Sequence, residues 1–322
     1  MKAIQVDGQE LRWNEVVEPP LGVGEVRIAN RATALNRADL AQRAGHYAPP
    51  PGASLILGLE CAGVVEAIGE GVGRVREGDR VCALLAGGGY AEKVVVPAGQ
   101  VLPIPEGLSF HEAAALPEVF ATAYLNLYME AYLEPGEFVL LHAGASGVGT
   151  AAIQLCAAFD NPCFVTAGST EKVERCVEMG ATAGCDRHVD HFVEEVPRWT
   201  SQHGMDVILD PVGGAYFESN IASLAVDGRL VLIGLLDGST APVALGAMMS
   251  RRLRVIGSTL RGRSIAAKSR VVDALRDRVW PLIEAGKVRA VVETVMPVTD
   301  ANQAHQLLSE NGTFGKVVLD IP

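Results

Sequence analysis

The residues of this chain best suited to chemistry lie in one run, His142-Ala-Gly-Ala-Ser-Gly-Val-Gly149, with glycines at 144, 147 and 149. An apolar stretch, Phe138 to Leu141, precedes it. A helical pattern with Val148, Ala151, Ala152 and Leu155 on one face follows. Strand, tight turn and helix in that order build an anion site. Glycine lets a diphosphate approach the backbone, and the helix start offers free N–H groups and the positive end of its dipole. The spacing is Gly-x-x-Gly-x-Gly, not the commonest one, and a glycine-rich turn can also be a plain connector. A second apolar strand, Cys163 to Ala167, follows at the βαβ distance and favours the dinucleotide reading.

That second strand ends in Gly168-Ser169, where an NAD-binding fold usually places an Asp or Glu for the ribose 2′-OH. The Ser169 hydroxyl and the Lys172 ammonium suit a 2′-phosphate instead, which points to NADPH. Ser169 equally fits the N-cap of a helix over Thr170–Met179, and the carboxylate of Glu171 works against the phosphate.

The elements that must position these residues have two textures. Residues 1 to about 110 are strand-rich and punctuated by Gly and Pro, with strand-like runs from Gly24, Cys61, Gly78 and Tyr90. Their irregular lengths predict a compact, partly closed β-barrel. One helix, Arg37–Ala44, interrupts them, with Asn36 at its N-cap and Asp39 three residues on. Helical patterns at Phe110–Leu116 and Glu118–Ala131 lead to the glycine-rich turn. Strands and helices then alternate, at Cys163–Ala167, Thr170–Met179, Asp206–Leu209, Tyr216–Leu224, Arg229–Leu235 and Arg254–Thr259. Alternation at this spacing predicts a doubly wound parallel sheet. An amphipathic helix over 264–284, a strand Val291–Val295, a helix Asp300–Ser309 and a strand Gly315–Leu319 are expected to rejoin the first domain. The expected division is 1–117 with 264–322, and 118–263 as an insertion, with the active site in the cleft between them.

Composition narrows the class. The chain has 322 residues, 49% hydrophobic and 20% charged, and a formal charge of −11. That balance argues against a broad nucleic-acid or anionic-membrane surface. No apolar segment approaches the roughly 20 residues needed to span a bilayer. The N-terminus runs directly into a strand-like pattern, and the six cysteines contain no Cys-x-x-Cys pair. A reduced, cytoplasmic protein without structural zinc is expected.

Several stretches together resemble the zinc-free, zeta-crystallin-like quinone oxidoreductases of the medium-chain dehydrogenase/reductase superfamily, nearest to their tumour-suppressor-inducible branch. They are Asn36-Arg-Ala-Asp-Leu, Gly45-His-Tyr-Ala-Pro-Pro-Pro-Gly52, Gly58-Leu-Glu-Cys-Ala-Gly-Val-Val65, Gly78-Asp-Arg-Val, the run His142 to Leu155, and Gly312-Thr-Phe-Gly-Lys-Val-Val. The resemblance implies an α/β protein: a GroES-like, partly closed β-barrel domain with an inserted Rossmann domain. Zinc alcohol dehydrogenases of the superfamily carry a Cys where this chain has Asn36 and Gly-His-Glu where it has Gly58-Leu59-Glu60. They also have a four-cysteine lobe after the position of residue 85, and this chain has no cysteine between Cys82 and Cys156. No metal is therefore expected.

Without a metal, hydrogen bonds must polarise a substrate carbonyl. Asn36 can donate from its amide and Tyr47 from its hydroxyl, and both match residues lining the family's quinone side. Helix capping is the competing role for Asn36 and Asp39, and packing under a proline-rich loop is the competing role for Tyr47. On the cofactor side the resemblance implies that Gly144, Ala145, Ser146, Gly147 and Val148 meet the diphosphate. Gly168, Ser169 and Lys172 meet the 2′-phosphate, with Arg187 where the family has an adenosine-side tyrosine. Thr122, Leu235, Leu260 and Asn311 fall near the nicotinamide. The expected activity is an NADPH-dependent quinone reductase, working as a homodimer on a small molecule. The alternatives are an enone or 2-enoyl reductase and a non-catalytic NADPH-binding structural or sensor protein.

Overall fold

The computed structural model describes residues 1–8 and 10–322. They form two compact units, Met1–Ala121 with Leu260–Pro322, and Thr122–Thr259. The junctions thus fall at 121/122 and 259/260, a few residues from the 117/118 and 263/264 expected from the change in sequence texture.

In the first unit, Glu25–Ala34 is the central strand. It alternates buried and open positions over its first six residues, which puts Val26 and Ile28 into the core with Cys61, Val65, Val81, Val94 and Val96. It pairs antiparallel with Glu60–Ile68, with Lys93–Pro97 and with the last strand, Lys316–Asp320. Three partners for one strand curl the seven-stranded sheet into the partly closed barrel of a GroES-like domain. The end of the chain does return here, with Val318 opposite Ala34 and Leu319 opposite Thr33. A separate hairpin, Lys2–Asp7 with Glu10–Glu15, completes the unit.

The second unit is a Rossmann-like parallel sheet of six strands. In spatial order they are Ala183–Asp186, Cys163–Ala167, Val139–Leu141, Met205–Asp210, Leu224–Leu232 and Arg254–Gly257. All neighbours run parallel. The chain order reverses between Val139–Leu141 and Met205–Asp210, and the glycine-rich turn leaves the sheet at that switch point.

Several expected helices are interrupted for local reasons. The stretch 110–131 divides into Phe110–Ala114, Pro117–Tyr124 and a π-helical turn, Leu125–Glu130. Pro117 has no N–H to continue the first helix and is well suited to begin the second. The 264–284 helix divides into Ile265–Arg278 and Trp280–Glu284, with Pro281 in the first turn of the latter. Ala183–Asp186, the helix Phe192–Trp199 and the helix Leu245–Arg251 have no counterpart in the sequence reading. The first is short and contains Gly184, and the second holds Pro197, so neither carries a clean period.

Candidate active site

The glycine-rich turn is built for close approach. Its left-handed residue is not a glycine but Ala143, at φ 55°. The glycines serve proximity instead. A Cβ on Gly149 would lie 2.5 Å from the carbonyl oxygens of Ala143 and Gly144, and one on Gly144 would lie 2.7 Å from Cβ of Val165. Neither position tolerates a side chain. The helix Gly147–Ala158 then begins, with Ser146 as N-cap, its Oγ accepting from Gly149 N–H at 3.0 Å. As the first two residues of that helix, Gly147 and Val148 have no carbonyl one turn back, so their amides face outward from the helix start.

His142, directly before the turn, anchors it from below. Its Nε2 lies 2.7 Å from Oδ1 of Asn220 and its Nδ1 lies 3.0 Å from Oγ1 of Thr166. The Asn220 oxygen can only accept, so Nε2 carries the proton and Nδ1 accepts from the threonine. Asn220 Nδ2 donates to Asp210 at 2.9 Å, and Asp210 also takes the amides of Val212 and Gly213. Burial pushes His142 down to about 4, so the imidazole is neutral at neutral pH.

At the end of the strand Cys163–Ala167, Ser169 caps the helix Thr170–Glu178 by accepting from Lys172 N–H at 3.3 Å. Accepting leaves its hydroxyl proton available to donate. Glu171 is exposed, while Lys172 is half-buried. Arg187, at the end of the neighbouring strand, lies close by: a Cβ on Gly168 would be 3.6 Å from its Nη2. The structure therefore brings Gly168, Ser169 and the Arg187 guanidinium together. Thr122 is half-buried, and its carbonyl accepts from Asn126 Nδ2 at 2.7 Å. Leu235 is exposed, with its Cδ2 beside Gly213. Leu260 and Asn311 belong to the other unit. There Leu260 is buried, and Asn311 sits in the left-handed region as acceptor for Arg37.

The first unit holds a second polar constellation. Lys316 and Glu60, 4% and 0% exposed, form an ion pair at 2.8 Å. The Lys316 ammonium also donates to the Leu35 carbonyl and, at 2.7 Å, to Oδ1 of Asn36. Nδ2 of Asn36 in turn donates to Ala34 O at 3.2 Å and to Glu60 Oε1 at 3.0 Å. Both amide hydrogens are thus engaged, one on the Ala34 carbonyl and one on the Glu60 carboxylate, which corrects the expectation that Asn36 donates to substrate. Asp39 needs correction too. It is 0% exposed, with Oδ2 on Asn36 N–H at 2.8 Å and Oδ1 on Gly58 N–H at 3.0 Å. Both its oxygens are taken by backbone amides, so it is a positioning residue that joins the helix Arg37–Arg43 to the Gly58 turn. That turn needs glycine, because its φ is +101° and a Cβ would meet Tyr90 at 2.6 Å.

Tyr47 is different. Its ring lies under the Arg261 guanidinium, 5.3 Å away, and Arg261 is pinned by Ala86 O at 2.8 Å and Gln42 Oε1 at 2.6 Å. The Tyr47 hydroxyl makes no hydrogen bond among the described residues, and burial followed by the charge of Glu118 raises its pKa. It is a protonated, uncommitted donor at neutral pH. Glu60, Glu118, Arg261, Lys268 and Lys316 were invisible as site residues in the sequence, because widely separated single charges carry no spacing signal.

Two family descriptions match the chain: "Alcohol dehydrogenase GroES-like domain" over residues 22–106 and "Zinc-binding dehydrogenase" over residues 147–277. The synaptic vesicle membrane protein VAT-1 homolog of Mus musculus is 33% identical, over 97% of this chain and 80% of its own length. The chain belongs to the medium-chain dehydrogenase/reductase superfamily. Members of known structure include an NAD-dependent alcohol dehydrogenase, 33% identical with a TM-score of 0.87 and all of both chains covered. Another is the Escherichia coli quinone oxidoreductase complexed with NADPH, 28% identical with a TM-score of 0.88 over 99% of each chain. No helix among the described residues is long and apolar enough to cross a membrane.

The superfamily's zinc does not fit this chain. Asn36 is tied to an ammonium, Leu59 is a buried apolar side chain, and Glu60 is neutralised by Lys316. Among the described residues no three His, Cys, Asp or Glu side chains are grouped to hold a metal ion. A dinucleotide does fit. Gly144 and Gly149 let the turn close tightly against Val165 and its own backbone, and the helix start after Ser146 leaves the Gly147 and Val148 N–H groups as the donors that a diphosphate needs.

Proposed function

We propose that this protein is an NADPH-dependent, zinc-free quinone reductase of the zeta-crystallin-like branch. The observation that carries this reading is the Tyr47 hydroxyl, uncommitted among the described residues and held under the Arg261 guanidinium. Bound NADPH supplies a hydride. Gly144 through Val148 hold its diphosphate, and Ser169, Lys172 and Arg187 take its 2′-phosphate. Thr122, Leu235, Leu260 and Asn311 are assigned to the nicotinamide end. The NADPH in the Escherichia coli relative supports the cofactor assignment. Tyr47 orients the substrate and donates to the oxygen on which negative charge develops.

The test is a panel of quinones and enones, followed by loss of NADPH absorbance. Quinones should be turned over and enones poorly, while efficient turnover of enones alone would move the assignment to an enone reductase. Tyr47→Phe should lower kcat and kcat/KM together by roughly tenfold to a hundredfold, since the bond strengthens in the transition state. Unchanged specific activity in a less stable variant would make Tyr47 a packing residue. We also read Arg254–Gly257, an edge of the six-stranded sheet, as the place where two copies pair. Sedimentation at micromolar concentration should show a dimer, and a strict monomer would refute that.

A further inference from the structure

Beside Tyr47 lies a carboxyl that the reaction as described does not use. Glu118 opens the helix Pro117–Tyr124, and its backbone N–H donates to Glu60 Oε2 at 2.9 Å. Its own Oε2 is buried and has no hydrogen-bond partner among the described residues. Two carboxyls therefore share this region, and the hydrogen bonds divide them. Glu60 receives the Lys316 ammonium, the Asn36 amide and the Glu118 N–H. Glu118 receives none of these at Oε2. A like charge nearby and the lack of donors both favour the acid form there, as in other paired carboxyl sites.

We propose that Glu118 is the proton donor of the site, delivering its carboxylic-acid proton to the substrate as the hydride arrives. This rests on the reductase reading above. The balance is simple: one hydride from NADPH and one proton from Glu118 convert a quinone to its hydroquinone. The O–H bond of Glu118 breaks, a new O–H bond forms on the substrate, and the Glu118 carboxylate regains a proton from water. The surroundings suit both states. Burial and then Glu60 raise the Glu118 pKa to about 8, with Asp39 adding to them, while Lys316 and Lys268 oppose. At neutral pH the acid is loaded. Once the proton has left, the same two ammonium groups stabilise the carboxylate. Lys268 is buried, with Nζ on the Arg261 carbonyl at 3.3 Å, and burial lowers its pKa. Tyr47 and Arg261 complete the set of groups facing the carboxyl.

The experiment compares the full-length protein with Glu118→Gln, which keeps the shape and removes the proton. In the unmodified protein, kcat with a quinone should fall as pH rises through about 8. The variant should lose at least about tenfold in kcat at neutral pH and show no descending limb, with NADPH affinity unchanged. Infrared difference spectra across the same pH range give a readout independent of turnover. A protonated-carboxyl band should disappear as pH rises in the unmodified protein and be missing in the variant. An active protein whose variant keeps both its rate and its pH limb would overturn the donor role, and so would a Glu118 already ionised at pH 6. A protein that binds NADPH but reduces neither quinones nor enones would refute the reductase reading itself and the donor role with it.

Discussion

Lys316→Met is expected to destabilise the protein by about 3–5 kcal/mol, the range for removing one partner of a buried ion pair. The loss comes from what remains. Glu60 has no exposure and would be left without its cation, while Asn36 Oδ1 and the Leu35 carbonyl would each lose a donor. A loss of this size is a large part of the stability of an ordinary domain. Urea unfolding, followed by a probe in the barrel unit, measures it. Glu60→Gln in the same chain should restore a good part of the loss, because the uncompensated charge is gone, and the double-mutant cycle isolates the pair. A change below about 1 kcal/mol would mean that water reaches Glu60. The fixed Asn36–Glu60–Lys316 network would then not be rigid.

The second large effect concerns the cofactor. NADPH is expected to bind roughly tenfold to a hundredfold more tightly than NADH. A 2′-phosphate carries about −1.5 to −2 charges by analogy with phosphate monoesters. A hydroxyl, an ammonium and a guanidinium offer it charge-assisted hydrogen bonds of about 1.5–3 kcal/mol each before screening. Arg187 is exposed and Lys172 half-buried, so solvent and salt remove much of the sum. About 1.5–3 kcal/mol is left, which sets the ratio. Arg187→Ala and Lys172→Ala should each weaken NADPH and leave NADH nearly untouched, and higher salt should narrow the gap. Of the two, Arg187 should matter more, since its planar fork suits the anion and lies beside Gly168. Equal affinity for the two cofactors in the unmodified protein would contradict this account.

Some of this was legible in the sequence because it is local. The strand, turn and helix around Gly144–Gly149, and Ser169 as a cap three residues before its partner amide, follow from nearest-neighbour chemistry. So does the contact of Asp39 with Asn36 N–H, part of the capping box at this helix start. What was not legible depends on residues far apart in the chain. Asn36 reads as a donor until Lys316, 280 positions away, takes its oxygen and thereby fixes which way the amide turns. The same holds for Glu118, whose acid form follows from what Glu60 receives rather than from its own neighbours. Nothing local in the sequence ties Arg187 to Gly168; the parallel pairing of Asp186 with Ala167 is what brings the two together.

The most direct test of the central claim is a single-turnover mix in the presence of a metal chelator. Protein saturated with NADPH is combined with one equivalent of a quinone, and the nicotinamide absorbance is followed. The account predicts prompt loss of the NADPH signal with hydroquinone formed, and the same rate with and without chelator. NADPH that stays bound and reduced, or oxidation that stops when metal is removed, would contradict it.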